Sequence, residues 1–342
     1  MWKDEKNMET LLTISIAAYN VEKYIATALE SCILSENLMD LLEVCIIDDG
    51  SKDNTSVIAK EYVQRFPKVF KYYFKENGGY GSTVNYALTV AQGKYFRLLD
   101  GDDWYSKKEL EEYLKYLQKC DSDLILSDYS IIYEKSKRVV NKRNFNYIHM
   151  HEYNVFEFDS TKRLAMYSFC YKTKLLKKNN ILLTEHCFYT DMEFMLLPLQ
   201  FINSFIYVNV NLYQYRIGMS EQSVSIRGMR KHYEDYYKVF MSLRNRELVY
   251  AYSAHFCENI DTVIKNNIII MAKASYRSLM CLPISYNTYS KIKKLDIKID
   301  KLGINGERGL FNMYGIPKGN FNFLNYIFTS MLTQIIIRLK SL

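Results

Sequence analysis

The chain has 342 residues, is 49% hydrophobic and 15% aromatic, and carries a formal charge of +7. That apolar content supplies a core for one large domain or two ordinary ones and excludes an intrinsically disordered protein. The seven cysteines (Cys32, Cys45, Cys120, Cys170, Cys187, Cys257 and Cys281) include no CxxC pair. This excludes a disulfide scaffold and predicts reduced, buried thiols in a cytoplasmic protein.

The opening MWKDEKNMET is polar and charged, so no signal peptide is expected. Charge is placed unevenly: residues 225–342 hold 18 Lys and Arg against 8 Asp and Glu, a net +10, which leaves −3 for residues 1–224. A basic C-terminal third suits an anionic lipid surface, a phosphorylated acceptor or nucleic acid, and equally an ordinary solvated helical face.

Residues 11–18 read as a compact apolar strand running into Tyr19-Asn20, with Asn20 placed to cap an amphipathic helix over 21–34. A second strand, 42–48, ends in Asp48-Asp49-Gly50-Ser51, and turn and cap residues then precede a helix at 56–65. A third strand, 69–74, leads into Asn77-Gly78-Gly79-Tyr80-Gly81-Ser82 and a helix over 83–91. Next comes GKYFRLLDGDDW (93–104), an apolar run that stops in three carboxylates, Asp100, Asp102 and Asp103. Like charges at the end of a buried strand are costly unless a cation neutralises them. Mg²⁺ or Mn²⁺ between carboxylates and a substrate phosphate is the expected answer, and an acidic turn capping the next helix is the plain alternative. Ser106-Lys107-Lys108-Glu109 predicts a capping box for a helix reaching Lys119, and 124–127 predicts a fifth short strand.

Strand and helix alternate with short loops, which implies a mostly parallel sheet covered on both faces. Asp48 and Asp49, the Gly78–Ser82 loop and Asp100 to Asp103 all fall at strand carboxyl ends, where such sheets bind ligands.

Residues 128–165 are expected to add strands or a loop over the sheet. His149 and His151 have strand spacing but no further ligands nearby, and read as exposed polar residues. Glu185, Asp191 and Glu193 are acids amid aromatics, where desolvation raises a carboxylate toward general-base duty. A helix N-terminus that attracts acids accounts for Asp191 and Glu193 as well. Helices are expected over 227–250, 258–281 and 286–301. Residues 321–342 are apolar at Leu324, Phe328, Met331, Ile335, Leu339 and Leu342 but too polar between them for a membrane span. They read as an interfacial amphipathic helix, or as one that packs on the domain or on a second subunit.

Six segments recur in order and at matching separations: SIAAYN (15–20), IIDDGSKDNT (46–55), ENGGYGSTVNYAL (76–88), GKYFRLLDGDDW (93–104), YTDMEF (189–194) and YQYRIGMSEQSVS (213–225). Together they resemble the family 2 glycosyltransferases of the GT-A fold, which build bacterial surface polysaccharides. The resemblance implies an α/β fold: a Rossmann-like, mostly parallel sheet with helices on both faces over 1–224. A basic, mainly helical region over 225–342 would follow, contacting acceptor, membrane surface or a second copy of the chain.

The resemblance also implies an activity. It is inverting, non-processive transfer from a nucleotide-sugar, UDP by family prevalence, to a hydroxyl of a lipid-linked or polysaccharide acceptor. The setting would be the inner face of the cell membrane, with Mn²⁺ or Mg²⁺ as cofactor and no nucleic-acid partner. Ala17, Tyr19 and Asp49 would meet the nucleotide base, and Gly79 would lie in the loop facing the donor. Asp100 would sit near the ribose and share the metal with Asp102. Asp191 would be the base that takes the acceptor proton, and Arg216 with Gln222 to Ser225 would close over the donor.

Departures from the family pattern are specific. Thr190 stands where a Glu often precedes the base, and Val84-Asn85 stands where many members have Arg-Asn. The QxxRW motif of processive members is absent, because the only tryptophans are Trp2 and Trp104. Thr190 and Val84 leave a second reading, a catalytically weak nucleotide-binding partner of another transferase. A nucleotidyltransferase would want a Gly-rich signature with Arg and Lys by the first strand, and AAYNVEK is not one.

Overall fold

A computed structural model describes residues 10–218, 225–250, 256–301 and 322–340. The described residues fall into two compact units, one within 1–217 plus 254–260 and the other within 218–253 and 261–342.

The first unit is built on β1 (Leu12–Ala18), β2 (Leu42–Asp48), β3 (Phe70–Phe74) and β4 (Tyr95–Asp100), all parallel. Their connections carry α1 (Ile25–Glu30), α2 (Glu36–Met39), α3 (Thr55–Arg65) and α4 (Tyr80–Val90). β1 and β2 are apolar runs buried almost throughout, as strands covered on both faces must be. Beyond β4 the chain adds β5 (Trp104–Tyr105), α5 (Lys107–Leu117), β6 (Leu124–Tyr133), β7 (Val139–Lys142) and β8 (Glu152–Asn154). β9 (Phe169–Lys172), α6 (Thr173–Lys178), α7 (Asp191–Leu196) and β10 (Ser204–Ile217) complete the unit.

The sheet runs β3-β2-β1-β4-β9-β6-β10-β5, with β7 on β6 and β8 on β10. β9 is antiparallel to both its neighbours, whereas β6 and β10 are parallel to each other. The strand order reverses around β1, which has β2 on one side and β4 on the other. Register sets Ala18 beside Asp48 and Ala17 beside Asp100, so three strands end at one edge. A crevice at such a switch point is where open α/β sheets take ligands.

Several local expectations are revised. α1 begins at Ile25, four residues late, because Asn20 is not its cap. Asn20 adopts φ +52°, and its Oδ1 accepts from the Lys52 N–H at 2.8 Å, tying the β1 loop to the β2 loop. Ser106 starts α5 without a side-chain cap bond, so the capping box does not form. The strand expected over 124–127 continues to Tyr133, because β7 and β10 pair with its second half. His149 and His151 are exposed, as expected. All seven cysteines are buried and none is in a disulfide.

The second unit is helical: α8 (Ile226–Lys231), α9 (Asp235–Tyr250), most of α10 (Glu258–Met280), α11 (Tyr286–Lys301) and α12 (Phe323–Lys340). The expected helix over 227–250 is thus two, the first capped by Ser225, whose Oγ accepts from the Gly228 N–H at 3.1 Å. Val239, Phe240, Leu243, Ile264, Ile268 and Met280 are among its buried apolar residues. Among the described residues no helix is long and apolar enough to cross a membrane.

Candidate active site

Asp100, Asp102 and Asp103 come together because β4 ends in a tight turn. Gly101 N–H donates to the Ala17 carbonyl at 3.0 Å, and Asp103 N–H donates to the Asp100 carbonyl at 3.0 Å. A Cβ on Gly101 would lie 2.9 Å from that Ala17 oxygen, so glycine is what lets the turn press against β1. One carboxylate oxygen from each of the three acids lies within 4.8 Å of the others.

The three are not equivalent. Asp103 is buried and fully engaged, accepting from the Tyr213 hydroxyl and the Arg216 N–H, both at 2.7 Å. The same Tyr213 hydroxyl accepts from the Asp100 N–H at 3.2 Å. Tyr213 reaches this turn from β10, whose pairing with β6 shifts register on either side of Asn211. Asp100 and Asp102 are half-buried, and the buried Oδ1 of Asp100 has no hydrogen-bond partner. Burial, then the Asp102 charge, pushes the Asp100 carboxyl up to about 8. Burial also raises Asp102, against the pull of Arg216, and raises Asp103 further. Without a cation, burial and mutual repulsion disfavour full ionisation of the cluster. A divalent ion would reverse that, and an unpartnered buried carboxylate oxygen beside two more acids is a donor set that fits a hard cation.

Arg216 lies against this turn. Its Nε donates to the Asp102 carbonyl at 2.9 Å and its guanidinium pairs with Glu134 at 2.9 Å. It also lies over the rings of Trp104 and Tyr24, at 4.6 and 5.0 Å. Its present work is to brace the acidic turn. Residues 222–224 of the segment expected to close with it lie outside the described residues.

At the neighbouring strand end, Asp48 accepts from the Ser51 N–H and the Tyr72 hydroxyl. Asp49 is 3% exposed, and both its oxygens are taken: Lys75 Nζ at 2.7 Å and the N–H groups of Gly78 at 2.9 Å and Gly79 at 2.8 Å. Asp49 therefore holds the glycine loop. Ala17 is half-exposed and Tyr19 is 49% exposed beside the β1 mouth.

The glycine loop in turn receives the segment that carries Asp191. Gly79 has φ +81°, and a Cβ there would meet the Cys187 nitrogen at 3.1 Å. A Cβ on Gly81 would lie 2.2 Å from the Thr184 carbonyl oxygen. Asn85, which follows the departure at Val84, exchanges bonds with the Leu183 backbone at 2.8 and 2.9 Å and donates to Glu185 at 3.0 Å. Glu193 is fully buried and accepts from the Thr184 N–H and hydroxyl at 2.6 and 2.7 Å. Glu185 and Glu193 are thus tied to structure, whereas Asp191 is half-buried at the start of α7. Burial pushes the Asp191 carboxyl up to about 6. Its charge is felt by Asp100, and the Tyr80 hydroxyl, raised by burial, senses both acids. His186 and Tyr189 both adopt left-handed backbone, at φ +50° and +66°, so the approach to Asp191 is a strained loop held by its neighbours.

The model of glycosyl transferase family 2 matches residues 13–183, half of the chain. The chain belongs to this family. This glycosyltransferase is 29% identical over 236 residues to Bacillus subtilis EpsH, a protein named as a glycosyltransferase, a match covering 66% of each chain. It is 32% identical over 121 residues to the B. subtilis minor teichoic acid biosynthesis protein GgaB, covering 35% of this chain and 13% of that one. The chain spans less than two thirds of the length of these curated relatives. Among solved structures it is similar to S. aureus TarS 1–349 in complex with UDP, with a TM-score of 0.55, 19% identity and 83% of each chain covered. It is also similar to the mannosyltransferase PcManGT of Pyrobaculum calidifontis in complex with GDP-Man and Mn²⁺, with a TM-score of 0.52 and 13% identity, covering 96% of this chain and 87% of that one. At such identities these structures bear on the fold, which is GT-A-like with additional C-terminal helices.

Proposed function

We propose that this glycosyltransferase moves one sugar per encounter from a nucleotide-sugar to a hydroxyl of a glycan or lipid-linked acceptor, inverting the anomeric centre. The observation that carries the reading is the Asp100, Asp102 and Asp103 cluster at the switch-point edge, with Asp191 close enough for its charge to act on Asp100. Asp100 and Asp102 would hold Mn²⁺ or Mg²⁺, while Asp103, already satisfied, fixes the turn. When bound, the ion supplies positive charge to the departing diphosphate.

Asp191 supplies the base. At pH 7 a carboxyl with a pKa near 6 is mostly ionised yet still basic enough to take a hydroxyl proton. The acceptor oxygen, as it loses that proton to Asp191, bonds to the anomeric carbon from the face opposite the diphosphate. The carbon–oxygen bond to phosphate breaks, and the nucleoside diphosphate leaves with the electron pair. Ala17 and the exposed Tyr19 frame the base pocket, and Asp49 acts through the Gly78–Gly79 loop that it holds. UDP is the donor nucleotide of this reading, by family prevalence and by analogy with UDP-bound TarS. GgaB, named for teichoic acid synthesis, supports a cell-surface glycan acceptor. Residues 1–224 would carry the donor chemistry and residues 225–342 the acceptor side.

Isothermal titration with UDP, GDP and dTDP and their sugars, with and without Mn²⁺, tests this. One nucleotide should bind only with metal, and Asp102→Ala should abolish that binding. If none binds, the donor-site reading fails; nucleotide binding without sugar transfer would instead favour the catalytically weak, nucleotide-binding partner.

A further inference from the structure

Helix α12 is inverted for a helix in water. Its inward face is polar: Tyr326, Thr329, Ser330 and Thr333 are all buried. The Tyr326 hydroxyl accepts from the Ser285 N–H at 3.3 Å, and Gln334 Nε2 donates to the Met280 carbonyl at 3.0 Å. Gln334 Oε1 accepts from Arg230 at 3.1 Å. Its outward face is apolar: Leu324, Phe328, Met331, Leu332, Ile335 and Ile336 are 38 to 74% exposed. Their spacing places all six along one side of the helix. The polar bonds fix the rotation, because turning the apolar side inward would strand Gln334 and Tyr326 away from their partners. Tyr286, 73% exposed, meets Phe323 with ring centroids 5.9 Å apart and extends the patch with an aromatic edge.

Charge decides what covers this face. α12 contains no Asp or Glu, and its sequence ends in Arg338 and Lys340. α11, with five lysines against two aspartates, sets Lys293 over the ring of Tyr289, which meets Phe323 of α12 at 5.6 Å, within a region of net charge +10. A second copy would bring +10 against +10, whereas an anionic surface is complementary. We infer that α12 seats the second unit on an anionic lipid bilayer, its apolar side in the acyl boundary and the lysines over the headgroups. The inference stands on the second unit alone and does not depend on the transfer reaction.

The test is co-sedimentation of the full chain with vesicles of phosphatidylglycerol and phosphatidylcholine, against phosphatidylcholine alone. Phe328→Glu/Ile335→Glu serves as the variant, since both side chains are exposed and the change leaves the core intact. Wild type should bind the anionic vesicles, and binding should fall about tenfold on neutral vesicles or in molar salt. The double variant should lose at least about tenfold in binding with its melting curve unchanged. Wild type that ignores anionic vesicles, or a variant that binds as well, overturns the inference. So does a wild-type dimer by light scattering that the variant converts to monomer, since a second copy would then cover the face. Metal-dependent nucleotide binding, measured on the same preparations, separates this result from any failure of the transfer reading.

Discussion

Replacing Asp191 with Asn should stabilise the protein and remove its activity, because burial underlies both effects. Burial lifts the Asp191 carboxyl from 3.8 to about 6. A shift of about two pH units corresponds to at most about 3 kcal/mol of unfavourable ionisation at neutral pH. Asp191 is only half-buried, so solvent screening lowers the expected gain for Asn to about 1–2 kcal/mol, a few degrees in Tm. The folded pKa lies above the unfolded one, so the relative stability of the wild type is fully present below about pH 4 and lost as pH rises through about 6. The variant's advantage should therefore exist at neutral pH and vanish near pH 4. Thermal melts of the metal-free protein across that range measure it. Transfer should fall by about 10²–10⁴-fold while nucleotide binding persists. In the wild type, kcat/KM should be flat above about pH 7 and drop about tenfold per pH unit below the pKa. A variant no more stable at neutral pH refutes the buried-carboxylate argument, and one that transfers at the normal rate refutes the base assignment.

Two other substitutions probe the frame around that residue. Gly81→Ala puts a methyl 2.2 Å from the Thr184 carbonyl oxygen, a backbone atom that cannot swing aside. It should cost about 1–3 kcal/mol in denaturant titration and lower kcat by shifting the loop before Asp191. An unchanged midpoint would mean that the 184–187 segment does not rest on α4. Asp49→Asn replaces an acceptor of three internal donors with a group that can accept at only one oxygen, and should cost about 2–3 kcal/mol together with weaker nucleotide binding. Weaker binding with an unchanged melting curve would instead return Asp49 to direct contact with the base.

Much of the first unit was legible because its cues are local. Apolar runs ending in Asp48 and Asp100 mark parallel strands and their carboxyl edge, and the glycines mark close approach. The close partner was not legible. Gly79 and Gly81 make room for His186, Cys187 and Thr184, about a hundred residues on, as well as shaping a loop that can face a donor. Asp103 looked like a third equal acid, and its separate role depends on Tyr213 arriving from β10 through a register shift. Arg97 sits in an apolar strand with nothing nearby in sequence to receive it. Its partners are the Tyr113 hydroxyl on α5, Ser127 on β6 and the Tyr167 carbonyl, brought in by the antiparallel insertion of β9. Residue type marks Asn20 and Ser106 as caps, yet Asn20 bonds to the β2 loop instead and Ser106 makes no side-chain cap bond.

The dependence of Asp103 on Tyr213 and Arg216 also bears on how the protein is made. Synthesis proceeds from the N-terminus, and β1 to β4 emerge long before β10. Until residue 216 has cleared the ribosome, the Asp103 carboxylate has neither of its two donors, and the acidic turn has no brace from the Arg216 guanidinium. The nascent chain can therefore pair its first four strands but cannot hold the three acids in their final arrangement. On the function proposed above, the acids would be ready for metal and nucleotide only once β10, the last strand of the sheet, is in place.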